Sequence, residues 1–326
     1  MIKYGIILLI LIISELIYFR IADKFNIIDK PNLRSSHTHI TLRGGGIIFL
    51  IGAWLYVAFS GMTYPWFMLG LTIITIISFV DDIHSVPNKY RLIAQFISMF
   101  LMFINLNIVN LESWWIIIIA LIVCVGIINA YNFMDGINGI TGGYSLAVLI
   151  PLMYVNQKEN FIDNNFLIVT TLSVLVFCFF NFRKKAKCFA GDVGAVCIAF
   201  IILFALGRLI LQTNDVTYLM LLGLYGVDTV LTIIHRIMLH ENLGEAHRKH
   251  AYQLMANELK IPHVIVSSIY MIVQLLVSFG LILLPINHWV YAIGAACILG
   301  IIYIVFMKKY YHLHEEYLKN KERNIT

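Results

Sequence analysis

The sequence predicts an all-α, polytopic membrane bundle of about 11 transmembrane helices, with the N-terminus outside and the C-terminus in the cytoplasm. Three observations predict it. Of the 326 residues, 60% are hydrophobic and 13% charged, with a mean hydropathy of +0.85. A soluble domain is roughly half apolar and a quarter charged, so lipid must be part of this chain's solvent. The apolar residues fall in runs near the ~20 residues that cross a ~30 Å hydrocarbon core as helix, and the basic residues collect on alternate loops.

The first run, from Gly5 to Phe19, has the length of a signal-peptide core. It carries Glu15 and has no small-x-small cleavage site before Arg20, so it is read as a retained span over 4–22. Spans follow at 45–61, 65–80, 92–108, 113–130, 142–156, 166–182, 193–211, 217–235, 264–284 and 288–307. The shorter ones are accommodated by tilt or by burial in protein. No repeat, low-complexity tract or linker interrupts them, so 1–326 reads as a single membrane domain. Cys124, Cys178, Cys188, Cys197 and Cys297 form no CxxC or paired framework, which indicates neither disulfides nor a zinc site.

Lys and Arg favour cytoplasmic loops. In this topology 20 of the 23 basic residues lie on one side, leaving Lys3 and Lys158 opposite and Arg208 within a span. The net charge of +5 therefore faces an anionic leaflet or an anionic substrate, and nucleic acid is not an expected partner. The same loops carry nearly every cluster of Asp, His, Asn and Gly, which places chemistry at one interface. A transporter would set such groups near the midplane.

Asp81-Asp82 end the third span, followed by Arg91. Adjacent carboxylates at a helix C-terminus repel each other and the dipole. They suit a Mg²⁺-dependent phosphate site, or they are a solvated helix end capped by Arg91. Asn129, Asn132, Asp135 and Asn138 close the fifth span at spacings of three, close to one face if the helix continues; the alternative is capping and a common Asp-Gly turn. Gly191-Asp192-Val193-Gly194 opens the eighth span after the basic run Arg183–Lys187, either as a phosphate-facing carboxylate or as a plain N-cap. Asp228 lies inside the ninth span with Thr232 and Arg236 one and two turns on, as a functional stripe or an interhelical hydrogen bond. His247-Arg248-Lys249-His250 forms a cationic patch fit for a diphosphate, or a surface histidine cluster; no partner lies at zinc spacing. Near the start, Arg34, His37 and Arg43 precede Gly44-Gly45-Gly46, whose amides either approach an anion or allow close helix packing.

Together these motifs resemble the polyprenyl-phosphate N-acetylhexosamine-1-phosphate transferases, the membrane family that includes the muramoyl-pentapeptide translocase and the initiators of O-antigen synthesis. The resemblance is carried by Asp81-Asp82 with Arg91, by 129–139, by 191–195 and by 247–253, in family order and across almost the whole chain. It implies transfer of a sugar 1-phosphate from a UDP-N-acetyl sugar to undecaprenyl phosphate, with release of UMP, on the cytoplasmic face of a bacterial inner membrane. It implies Mg²⁺, with Mn²⁺ as an alternative, and possible ligands in Asp192, Asp81 and Asp82. Asp81 or Asp82 would act on the acceptor phosphate. Asn129, Asn132, Asp135 and Asn138 would hold the nucleotide, His247, Arg248 and His250 the diphosphate, and Arg91, His37, Arg43 and Asp228 would assist in binding. Membrane lipid and a second copy of the chain are the further partners the resemblance implies.

Two departures stand out. Asn138 occupies the place of a second aspartate that contacts uracil in many relatives. The histidine motif reads HRKH-AYQ rather than a compact H-x-H-H. With the opening RSSH and RGGG, these features look more like the O-antigen subgroup that uses sugars such as N-acetylfucosamine or N-acetylquinovosamine. The threonine-proline-rich opening of the muramoyl-pentapeptide translocase is missing. The competing reading is a lipid-linked-sugar flippase, for which Asp228 and Arg208 are the only features.

Overall fold

In the computed structural model, residues 2–31, 36, 39–109, 114–243 and 247–323 are described. They are 79% helical with almost no strand. The helices are α1 (Ile2–Lys24), α2 (Ile48–Ser60, entered through a 3-10 turn at Gly45–Ile47), α3 (Pro65–Ile83), α4 (Asn88–Asn105), α5 (Trp114–Met134) and α6 (Ile140–Glu159). Then come α7 (Asn164–Asn181), α8 (Gly191–Thr213), α9 (Gly223–Met238, after a 3-10 stretch at Val216–Leu222), α10 (Ala251–Asn257), α11 (His263–Leu283) and α12 (His288–Arg323). Each of the eleven expected spans has its helix, and α10 is a short addition. Eight of these segments are long and apolar enough to cross a bilayer. The chain is a multi-pass membrane protein.

The three others are explained by what surrounds them. Helix α2 has 13 residues and is half sheathed by protein. Helix α4 begins with Asn88, Lys89, Tyr90 and Arg91 at the water boundary. Helix α6 is rich in Gly, Ser and Thr, contains Pro151, and is buried along most of its length, so it faces helices rather than lipid. Helix α8 is the hub, with nearly every residue from Val193 to Leu206 buried. By contrast, α5 and α12 present rows of Ile, Val and Trp outward. At ~1.5 Å per residue, the 36 residues of α12 exceed the bilayer core, so its basic last turns project beyond it.

The connections sort to two ends. At one, Lys3 and Tyr4 bond Asn165, Tyr56 bonds Asp163, and His288 bonds Asp215. Arg208, expected inside a span, donates to the Phe161 carbonyl at this same end at 3.0 Å. At the other end a two-stranded antiparallel ribbon, β1 (Ile28–Asp29) with β2 (Thr41–Leu42), pairs Ile28 with Leu42. The Leu42–Cys188 bridge ties it to the segment entering α8. Every acidic motif lies at this second end.

Candidate active site

The centre is built where α3 ends against the start of α8. Asp82 is buried, and its Oδ1 and Oδ2 accept the amides of Asp192 (2.9 Å) and Val193 (3.0 Å). One helix's unwelcome C-terminal carboxylate thus caps the donors at another's N-terminus. Gly191 allows the approach: its φ is +72°, and a Cβ there would run into Asp82. Arg43, arriving from β2, places Nε 2.6 Å from Asp82 and a terminal nitrogen 3.4 Å from Asp192. Arg91 bridges Asp81 and Asp192, each at 3.0 Å. Sharing one guanidinium group sets the Asp81 and Asp192 carboxylates side by side. Three carboxylates and two guanidinium groups from four segments therefore meet at one point.

Asp135 follows α5 and accepts the Thr141 hydroxyl at 2.5 Å. Burial, with Asp192 and Asp82 nearby, pushes its carboxyl up to about 7 from 3.8. The loop is pinned from outside: Gly139 N–H donates to Asn181 (2.7 Å), and Ser267 donates to the Asn138 carbonyl (2.7 Å). The Asn138 side-chain amide donates to the carbonyls of Arg183 and Lys184. Its donors are thus engaged in holding the basic loop. Asn129 pairs with Gln95, one turn before Asn132.

The histidine motif divides. His247 and His250 face inward, whereas Arg248 turns away to Glu258 at 2.9 Å and lies over the Tyr317 ring. Lys249 pairs with Glu241. Asp228 is buried where α9, α10 and α11 meet, and Arg236 holds the following loop through Glu241 and the Asn242 carbonyl. The glycine run works as close packing: Gly45 and Gly46 spend their amides on the carbonyls of Phe189 and Ala190, and Gly46 lies against Gly194. His37 falls outside the described residues.

Two adjoining cavities share Asn132. The first, about 290 Å³, is polar and lined by Arg43, Asn132, Asp135, Asn181, Asp192 and His263. The second, about 410 Å³, has Arg91, Asn129, His247 and His250 with the apolar Leu92, Phe133 and Leu243. Residues that sequence reasoning missed are Asn181 and His263; each was a lone polar residue at a helix end, with no spacing signal to mark it.

The donor set fits a hard divalent cation. Among the described residues no three carboxylate, imidazole or thiolate groups converge on one metal-sized point, and both Asp82 oxygens are engaged. Asp192 and Asp81 are engaged by Arg43, Arg91 and the Val86 amide, and a cation would take the place of the side-chain partners. Mg²⁺ is commonly held by one or two carboxylates with phosphate oxygens and water completing the shell.

Residues 64–210 match the model of glycosyl transferase family 4. A probable undecaprenyl-phosphate N-acetylglucosaminyl 1-phosphate transferase of Bacillus subtilis is 28% identical over 272 residues, covering 76% of this chain and 75% of that protein. A phospho-N-acetylmuramoyl-pentapeptide-transferase of Thermotoga maritima is 28% identical, covering 59% of this chain and 67% of that one. An undecaprenyl-phosphate alpha-N-acetylglucosaminyl 1-phosphate transferase of Yersinia pestis is 25% identical, covering 72% and 71%.

Proposed function

From the premise that this chain belongs to glycosyl transferase family 4 through residues 64–210, we propose that it transfers an N-acetylhexosamine 1-phosphate from a UDP-sugar to undecaprenyl phosphate. An oxygen of the acceptor phosphate bonds to the donor's β-phosphorus, the bridging P–O bond breaks, and UMP leaves with the electron pair. The reaction takes place at the cytoplasmic face of the inner membrane, as a first step of O-antigen or related surface-polysaccharide synthesis.

One observation carries the reading: Asp81, Asp82, Asp192, Arg43 and Arg91 meet at one end of a membrane bundle, between a polar cavity and one with apolar walls. The polar cavity suits the soluble nucleotide, and the cavity walled by Leu92 and Phe133 suits a phosphate carried on a lipid. Mg²⁺, held by Asp192 and Asp81, would supply neutralisation of the donor's pyrophosphate. Arg43 and Arg91 fix the two carboxylates and offer donors to phosphate oxygens. Asp82 keeps Asp192 in register by capping α8. Asn132 and Asp135 orient the nucleotide. A flippase finds little support, because Asp228 is saturated by hydrogen bonds and Arg208 lies at the end of the bundle away from the carboxylates.

The test supplies purified protein with undecaprenyl phosphate, Mg²⁺ and a panel of UDP-N-acetyl sugars, including the 6-deoxy sugars. UMP release dependent on both lipid and metal is expected. Absence of UMP with every donor would remove the transferase reading.

A further inference from the structure

His250 is almost wholly buried and lines the second cavity together with Arg91, Asn129 and Asn132. Its Nδ1 lies 3.2 Å from Asp228 Oδ1. An ionised carboxylate only accepts, so Nδ1 carries the proton and Nε2 is left with a lone pair. Among the described residues no group bonds Nε2. Asp228 is held from every side. Tyr270 of α11 donates to Oδ2 at 2.6 Å, and the Ala251 amide and Thr232 hydroxyl donate to Oδ1, each at 3.2 Å. Thr232 is in turn tied to Tyr303 of α12. Four helices therefore set one imidazole tautomer, and the acceptor atom it presents is dry and unpaired. A buried polar atom without a partner is costly and marks a place where a donor is to arrive.

We propose that His250 Nε2 receives the proton of the acceptor's phosphate monoester, with Asp228 as its positioning residue. The inference rests on the transferase reading above and assigns this histidine to the lipid substrate rather than to the donor diphosphate. The monoanion R–O–PO₃H⁻ gives its proton to Nε2, and the imidazolium formed is paired with Asp228. The dianion left behind attacks the donor phosphorus, and the proton passes to water after UMP leaves. The other titratable and charged groups facing His250 are Tyr252 on its own helix, His247, Tyr270 and, across the cavity, Arg91. Burial pushes His247 down to about 3, so it adds no charge near neutral pH. Arg91 draws the phosphate in.

The test measures steady-state kinetics for both substrates, using full-length detergent-solubilised protein and the UDP-sugar that yields UMP. His250→Gln is expected to raise KM for undecaprenyl phosphate about tenfold to a hundredfold near pH 6 while leaving KM for the UDP-sugar unchanged. The deficit should close toward about pH 9, because a monoester phosphate loses its second proton near pH 6 and then has none to give. Asp228→Asn, which keeps the shape and removes the charge, should reproduce that selectivity for the acceptor. A rise in KM for the UDP-sugar instead, or a loss equal for both substrates at every pH, overturns the proposal while the transferase reading stands. A wild-type protein that releases no UMP sinks both.

Discussion

The carboxylates at the α3–α8 junction differ in what they are engaged with, and substitution should separate them. Asp82 has both oxygens bonded to backbone amides and to Arg43. Asp82→Asn is expected to abolish UMP release and also to cost about 2 kcal/mol of stability, since charge-assisted hydrogen bonds to a cap are lost; thermal unfolding in detergent reads the latter. Asp81→Asn and Asp192→Asn should abolish turnover with a smaller effect on melting, because each also relieves repulsion between neighbouring carboxylates that share Arg91. Asp135 makes a pH-dependent contribution. Its carboxyl sits at about 7 in the fold and 3.8 outside it. Between those values the folded chain keeps a proton that the unfolded chain has released, so stability falls as pH rises through this window and is level above it. In metal-free detergent, Asp135→Asn should therefore melt higher than the parent above pH 7, with the gap closing toward pH 4. A gap that is constant across pH would contradict this origin. The acidic residues were legible as motifs because charge in an apolar sequence is conspicuous. The division between a capping Asp82 and a cavity-lining Asp192 was not, since both look alike until the helices meet.

At the scale of elements, the site depends on how closely the 3-10 turn before α2 sits against α8. A Cβ on Gly194 would meet the Gly46 Cα at 2.7 Å. Backbone on both sides leaves no flexible side chain to yield, so Gly194→Ala should cost about 1–3 kcal/mol through overpacking and displace Arg43 from Asp192. Loss of activity together with a lowered melting temperature is expected; unchanged melting would mean that the two backbones can move apart at little cost. The run of glycines in the sequence suited either an anion cradle or close packing, and a local pattern does not distinguish them, because the decisive neighbours lie about 150 residues away. The histidine motif shows the same limit. Alternation along the chain suggested one cationic patch, but the turn into α10 sends His247 and His250 to the cavity and Arg248 and Lys249 away from it, to Glu258 and Glu241.

For the molecule as a whole, the two ends of the bundle set its orientation. The basic loops and all the acidic motifs share one end, and the other is closed by Lys3, Asp163, Arg208 and Asp215 with their partners. A reporter fused after Lys158 should read outside and one after Lys187 cytoplasmic. Reversal of the pair would separate the site from a cytoplasmic nucleotide. The sequence by itself determined the membrane bundle, the order of its helices and the one-sided placement of its chemistry. These follow from hydropathy and charge, which act through the solvent each residue meets and need no knowledge of neighbours. Only the tertiary structure decided which carboxylate caps, which arginine bridges, which histidine faces the cavity and which glycines are packing. Those roles are hydrogen bonds and contacts between helices far apart in sequence, and their geometry exists only once the helices have packed.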